Sequence, residues 1–530
     1  VKKEKFRRLC ALVAAAAVLM SAFSGCSMLE LVAETEDEEA GVTPGSTLLS
    51  SYAADSIFSL NYDSNNSMNP LLTTSSANLL FMPLIYDCLF DVDENYNFTP
   101  NLISDYRTED GKCWYFDVDT SRRFHNGNRL TAQDAVYSIQ RAMSSTVYSE
   151  RLSIIVGISA MDDTTFVVNI SKVNYLFPAL LNVPVIPNDS IDQYSPSGTG
   201  AYAVSADFTK LELSSSYPKA SEYPIDTIYL KEYSSADEQI SAFEDSLIDL
   251  VTNDPNSISS LGYGSANEMR YYSTTNMHYI GYNAGSLFFQ NSAYRAAVTY
   301  AVNRSAIVTN IMSGCGTATT LPISPMSDLY NATYAASFDY DMDKCEAILD
   351  ANECEDYDED GDREYMLTGI AMEINLVFIV CSDSSVKVSA AREIAEDLRS
   401  LGISVTLREL SWDDYNTALE NGNFDMYYAE TRLTADFDLS RLITTGGSLN
   451  YGKVYDTSVK QSIEDYLSAS DDDRRMACDL MCQAVAESAL ITPICFEKQQ
   501  VLTHRGIVSG VSATQYNIFN CFENWEIDLT

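Results

Sequence analysis

The chain has 530 residues, of which 33 are Lys or Arg and 75 are Asp or Glu, a formal charge of −42. That balance argues against a nucleic-acid partner, because phosphate binding needs a basic face. Hydrophobic residues make up 46% and aromatics 11%. That is enough to bury a core, which argues against wholesale disorder, and the length calls for two or three lobes.

The chain opens with Lys2, Lys3, Lys5, Arg7 and Arg8, followed by an apolar run from Leu9 to Phe23 broken only by Ser21. The run is short of the roughly 20 residues that a membrane span prefers, and small residues follow it. It is expected to be an export signal, residues 1–25. Phe23-Ser24-Gly25-Cys26 resembles a bacterial lipobox, with Phe in place of the usual Leu, which implies a lipid on Cys26 and an anchor in the membrane. Residues 26–46, with Glu34, Glu36, Asp37, Glu38 and Glu39, are expected to be an acidic tether.

The body from residue 47 onward begins as short strand-like runs, at 84–90, 113–118, 165–170 and 227–231. One helix interrupts them. Thr131 is its N-cap, with Asp134 three residues on, and Ala135, Val136, Ile139, Ala142 and Met143 share an apolar face. From Asn283 the pattern changes. Ala293, Ala297, Tyr300, Ala301, Val308 and Ile311 share a helical face. Residues 374–380 are a buried strand, and a helix with Ala390, Ala391, Ile394, Ala395, Leu398 and Leu401 on one side follows. Gly402 stops it, and Ile403, Val405 and Leu407 alternate as the next strand. Strand, helix, strand is an α/β unit with a right-handed crossover.

Four chemical signals are testable in the sequence. Gly447 to Lys453 has phosphate-loop spacing, but Val454 stands where the magnesium-holding hydroxyl belongs, and the segment is expected to be a polar loop. Asp356, Asp358, Asp360 and Asp362, with Gly361, match the opening of a calcium loop, and Leu367 stands where its bidentate Glu belongs. A structural calcium is one outcome there and a bare acidic turn the other; no further cofactor is expected. Neither GxSxG nor HExxH occurs, and His125, His278 and His504 are expected to be structural or solvent-facing. Ten cysteines remain beyond Cys10 and Cys26, and most are expected to be small buried hydrophobes.

The strongest stretch is Phe124-His125-Asn126-Gly127-Asn128-Arg129-Leu130-Thr131-Ala132-Gln133-Asp134-Ala135-Val136-Tyr137-Ser138. It resembles the signature of bacterial extracellular solute-binding protein family 5, the peptide-binding receptors of ABC importers. Pro83 to Phe90, Ser197-Gly198-Thr199-Gly200-Ala201-Tyr202, Tyr282-Asn283 and Ala301-Val302-Asn303-Arg304 resemble further family motifs in family order. The likeness covers roughly residues 50 to 525.

The resemblance implies an α/β, two-lobed fold of the periplasmic-binding-protein type, in its large peptide-binding class. One lobe is expected at 47–282, with an inserted subdomain at about 86–190 and a C-terminal return at 491–530; the other is expected at 283–490. Two crossing strands, near 279–283 and 491–496, are expected to hinge the lobes around the ligand. It implies a monomeric receptor, lipid-anchored on the outer face of the cytoplasmic membrane, that hands short peptides to an ABC permease. The family's amine-binding acid is matched by Asp436, with Phe437 for the aromatic after it, while the family's Trp and Pro are absent there. Tyr282, Asn283, Gly198, Thr199, Gly200 and Trp412 complete the expected ligand-binding set. A disulfide between Cys88 and Cys113 is expected if their strands are neighbours. Nickel chelates, oligosaccharides and signalling peptides remain alternative ligands, and a surface hydrolase is the rival of another class.

Overall fold

The structure, a computed structural model, describes residues 56–264 and 267–529. The expected signal peptide, Cys26 and the acidic tether lie outside the described residues. Within them, one mixed sheet runs through the whole body. Its order is Val405–Leu410, Leu376–Cys381, Met426–Arg432, Glu268–Tyr282, Ile491–Thr503, Leu250–Asn253, Phe58–Tyr62, Thr227–Glu232, Lys210–Leu213 and Tyr202–Val204. The two long central strands, Glu268–Tyr282 and Ile491–Thr503, pair antiparallel along their length. They are longer than the two crossing segments expected from the resemblance. Their ladder breaks between Ser273 and Met277, N-terminal to the expected position.

Two hydrophobic cores flank those strands. One gathers Phe58, Phe81, Tyr86, Phe116 and Phe166, and takes in Val501, Phe519, Phe522 and Trp525 from the C-terminal end. The other gathers Met277 to Tyr282, the α/β unit and the helices up to Phe496. The α/β unit forms as its periodicity dictates. Strands Leu376–Cys381 and Val405–Leu410 are parallel. Helix Ser385–Ser400 between them buries Ala390, Ala391, Ile394, Ala395 and Leu398, and Gly402 adopts φ +76° to end it.

A separate four-stranded sheet carries the inserted segment, in the order Ile103–Thr108, Cys113–Val118, Thr165–Ile170, Ile155–Ala160. Phe116 stacks on Phe166 at 5.1 Å. Helix Ala132–Ala142 covers the sheet and begins with the expected capping box between Thr131 and Asp134. Its Ser138 donates to the Ile186 carbonyl at 3.1 Å, which fixes the return of the chain.

Three sequence expectations are corrected. Residues 84–90 are not one strand: Ser76–Ile85 is a helix with Pro83 inside it, and a strand, Phe90–Val92, begins only at Phe90. A continuous apolar run has no period to tell helix from strand, and packing decides it. The helical face from Ala293 to Ile311 is not one helix, because Val302 is extended (φ −88°, ψ 109°) after Ser292–Ala301. There Arg304 turns inward and donates to the carbonyls of Pro493, Thr299 and Val302. Cys88 and Cys113 are both free: Cys88 bridges Pro184, whereas Cys113 lies opposite Asn169 in the four-stranded sheet, so their strands are not neighbours.

Candidate functional site

The two cores meet at a cavity of about 290 Å³. The helix Ser76–Ile85 supplies Met82 and Pro83, the inserted segment supplies Tyr148, Arg151 and Asn182, and the C-terminal return supplies Tyr516. The far wall is Arg432-Leu433-Thr434-Ala435, the chain leaving strand Met426–Arg432. That exit is pinned. The Leu433 N–H donates to the Thr275 carbonyl at 2.9 Å, and the Thr275 hydroxyl donates to the Leu433 carbonyl at 2.6 Å.

Asp436 follows directly behind this wall and is only 1% exposed. Its Oδ1 accepts from the Thr434 hydroxyl at 2.5 Å and its Oδ2 from Asn174 Nδ2 at 2.8 Å. The backbone N–H of Asp438 completes the set at 3.4 Å. All three donors are neutral. Burial pushes the Asp436 carboxyl above its ordinary range, and the nearby Asp438 adds to the push. Phe437 is buried with φ +49° and meets the Tyr96 ring edge-on at 5.3 Å.

Asn174 belongs to the loop that follows strand Thr165–Ile170, so this contact ties the inserted segment to the opposite core. The tie is reinforced around it. Lys172 pairs with Asp438 and donates to the Ser440 hydroxyl at 2.9 Å. The Tyr175 N–H donates to the Leu467 carbonyl at 2.8 Å. Arg441 pairs with Glu150. Nothing in the sequence singled out Lys172 or Asn174, because their partners are 262 to 268 residues away.

The other expected ligand residues fall elsewhere. Tyr282 is buried in the second core, its hydroxyl sharing a hydrogen bond with Thr492 at 2.7 Å. Asn283 donates to the carbonyls of Gly422 and Phe424 at 3.0 and 2.7 Å. Gly198, Thr199 and Gly200 form a turn pressed on the end of helix Ser76–Ile85. The Gly200 N–H donates to the Ile85 carbonyl at 2.8 Å, and a Cβ on Gly198 would sit 1.9 Å from that same oxygen. The turn needs glycine because it lies against backbone. Thr199 Oγ1 accepts from the Asp87 N–H at 3.3 Å.

Trp412 is 57% exposed and lines a second cavity of about 410 Å³, with Lys387, Glu430, Glu497 and Asp254. Behind it His278 bonds Tyr428 Oη and Glu497 Oε1, both at 2.8 Å. Burial works to raise the Glu497 carboxyl, but the hydrogen bond and charge of His278 outweigh it and hold it below the usual range. His125 Nε2 bonds the Gly200 carbonyl at 2.9 Å, and His504 Nε2 the Ile248 carbonyl at 3.0 Å.

Carboxylate oxygens of Asp356, Asp358 and Asp360 lie within 4.8 Å of one another on an exposed turn, and Asp358 also groups with Glu364 and Glu373. Asp362 stands outside both groups; its N–H donates to Asp360 at 2.9 Å. Glu373 is paired opposite Glu364 on the next strand.

Comparison with known proteins places this geometry. The chain is 22% identical over 440 residues to the oligopeptide-binding protein AppA of Bacillus subtilis (strain 168), covering 76% of this chain and 79% of the relative. Among solved structures, the unliganded open form of the periplasmic murein tripeptide binding protein MppA superposes with a TM-score of 0.73 at 15% identity. That match covers 89% of this chain and 97% of MppA. NikA from Brucella suis, in complex with Fe(III)-EDTA, gives a TM-score of 0.67 at 16% identity, covering 89% of this chain and all of NikA. The sequence model of the middle part of the bacterial extracellular solute-binding proteins, family 5, matches residues 97–450. With two cores joined by paired strands and a cavity between them, the chain belongs to that family.

Proposed function

We propose that this chain captures short peptides in the cavity between its cores and delivers them to the permease of an ABC importer. The observation that carries the reading is Asp436, a buried carboxylate with no cation on it, set one residue behind a cavity wall. A carboxylate out of water tolerates its charge best with a cationic partner. A peptide α-amino group supplies one, taking the place of the Asn174 amide, and the resulting hydrogen bond is stronger than a neutral one. The neighbouring backbone of residues 432–435 offers main-chain donors and acceptors that hold a peptide without demanding its sequence. The names of AppA and MppA support the same ligand class.

The receptor acts as a monomer on the outer face of the cytoplasmic membrane, held there by lipid on Cys26 after removal of residues 1–25. It acts as a binding protein rather than an enzyme, a reading that its membership of a solute-binding family supports. The ligand-facing residues are those of the 432–435 wall, with Asp436 directly behind it and Trp412 facing the second cavity. Tyr282, Asn283 and the Gly198-Thr199-Gly200 turn hold the walls in place. The turn at Asp356, Asp358 and Asp360 holds a structural calcium. Native mass spectrometry of the purified protein tests the central reading: co-purified or added peptides should appear as discrete adducts. A protein that retains none, and binds none in calorimetry, refutes it.

A further inference from the structure

We propose that the calcium ion is seated not on the exposed turn alone but between that turn and the hairpin behind it, held by Asp358, Glu364 and Glu373. This rests on the calcium reading above and deepens it by naming the donors. Strands Cys354–Glu355, Glu364–Leu367 and Ile370–Glu373 form a small antiparallel sheet. The hairpin between the last two turns on Thr368 and Gly369, at φ +51° and +82°. Two consecutive residues of positive φ make the tight turn that fixes a hairpin's register. Glu364 and Glu373 are therefore locked directly opposite one another, and like charges so placed destabilise a sheet. Carboxylate oxygens of these two and of Asp358 lie within 4.8 Å of one another.

Glu364 is only 4% exposed. Its Oε2 accepts from the Tyr357 N–H at 2.8 Å, which draws the turn over it, whereas its Oε1 is buried with no hydrogen-bond partner. Leaving a buried acceptor of a charged group unmade is costly. Asp358 and Glu373, both exposed, have no hydrogen bond or ion pair to their carboxylates among the described residues. The rest of the turn is already engaged. Asp356 accepts from the N–H groups of Asp360 and Gly361 at 3.2 and 2.9 Å, and Asp360 accepts from that of Asp362 at 2.9 Å. No base offsets the group. Residues 353–373 hold nine acids and one base, Arg363. Arg363 is turned onto Glu346, Asp350 and the carbonyls of Cys354 and Leu401. A cation is the missing partner. All three donors are oxygens, which suits a hard divalent ion rather than a softer transition metal. Oxygens about 2.4 Å from one ion stand up to about 4.8 Å apart. Donors drawn from a turn and two strands make an irregular set that calcium accepts and octahedral magnesium does not.

The test is a calorimetric titration of the purified protein, stripped with a chelator, with calcium and with magnesium. The wild type should bind calcium with a dissociation constant of about 10⁻⁴–10⁻³ M, and magnesium about tenfold more weakly or worse. Glu373→Gln, which alters an exposed side chain and spares the fold, should weaken calcium about tenfold or more. Asp360→Asn, which keeps an acceptor for the Asp362 N–H, should change it by less than about threefold. Without calcium, Glu373→Gln should raise the thermal midpoint, because it removes the like charge opposite Glu364; a fall there overturns the inference. Unchanged calcium affinity in Glu373→Gln, with a loss in Asp360→Asn, overturns this donor set and leaves calcium on the turn standing. Equal affinity for magnesium overturns the choice of ion. If the wild type binds no calcium, the calcium reading falls and this inference falls with it, while peptide capture stands.

Discussion

Replacing Asp436 with Asn should make the empty protein more stable and the binding protein worse. The carboxylate is 1% exposed and has two short hydrogen bonds and one long one, all from neutral groups. Burying an ion costs several kcal/mol, and each bond to a charged acceptor returns about 1 kcal/mol more than a neutral one. The balance favours the amide by about 1–2 kcal/mol, and Asn can still accept from Asn174. The sign follows from the raised carboxyl. In the native state it holds its proton to higher pH than in the unfolded chain, so ionised Asp436 opposes folding above its native pKa. The stability gain of Asp436→Asn should therefore be present above the raised native pKa and shrink as pH falls through it, vanishing below the unfolded value of about 3.9, where Asp is neutral in both states. Peptide affinity should move the other way, by about 3–5 kcal/mol or a factor of hundreds to thousands, since the amine loses its counter-ion. Denaturant unfolding across pH and calorimetry with Ala-Ala-Ala check the two halves. A variant that is less stable at neutral pH, or that binds the tripeptide as the wild type does, refutes the reasoning.

Asp438→Asn removes the pair with Lys172 across the cores; affinity should drop about fivefold at low salt, the size of a partly exposed ion pair, and the difference should vanish in 1 M salt. Equal loss at both salt levels would assign Asp438 a different role. Gly198→Ala places a methyl against the Ile85 carbonyl and should cost about 3 kcal/mol or more, seen as a fall in the thermal midpoint. Millimolar calcium should raise the midpoint of the wild type but not of Asp358→Asn, whose carboxylate is shared by both acid groups at that turn. Cys26→Ala should yield unprocessed or released protein in a fractionation of cells, and unchanged membrane attachment would remove the lipid from the account.

The sequence announces the α/β unit and the capped helix because each is local: a period of 3.6, a period of 2, a Gly at φ +76° and a Thr–Asp box. It misplaces 84–90 because the run from Leu79 to Phe90 is apolar but for Asp87 and Pro83, so only the packing of the first core chooses a helix with Pro83 inside. The family motifs around Gly198 and Asn283 are legible for a related reason: glycine against the Ile85 carbonyl and Asn against two loop carbonyls are requirements of the scaffold. They mark the architecture, and the expectation that they touch ligand follows motif strength rather than position. Asp436 is legible by its place after Ala435, but its partner Asn174 is not, since no local pattern links two loops 262 residues apart.

The broken ladder between Ser273 and Met277 gives the two cores a pivot. Beyond it, and past a second register shift between His278 and Tyr279, the long strands are stitched backbone to backbone. At the break the stitching is done by side chains: Thr274 to the Glu497 carbonyl at 3.0 Å, Asn276 to the Glu497 carboxylate at 3.1 Å, and the Thr275 N–H to Gln515 Oε1 at 2.9 Å. Side-chain bonds stretch and rotate at little cost, whereas sliding one strand along the other breaks every rung at once. Rotation of the halves about residues 273–277 and 496–498 therefore costs less than sliding them past one another.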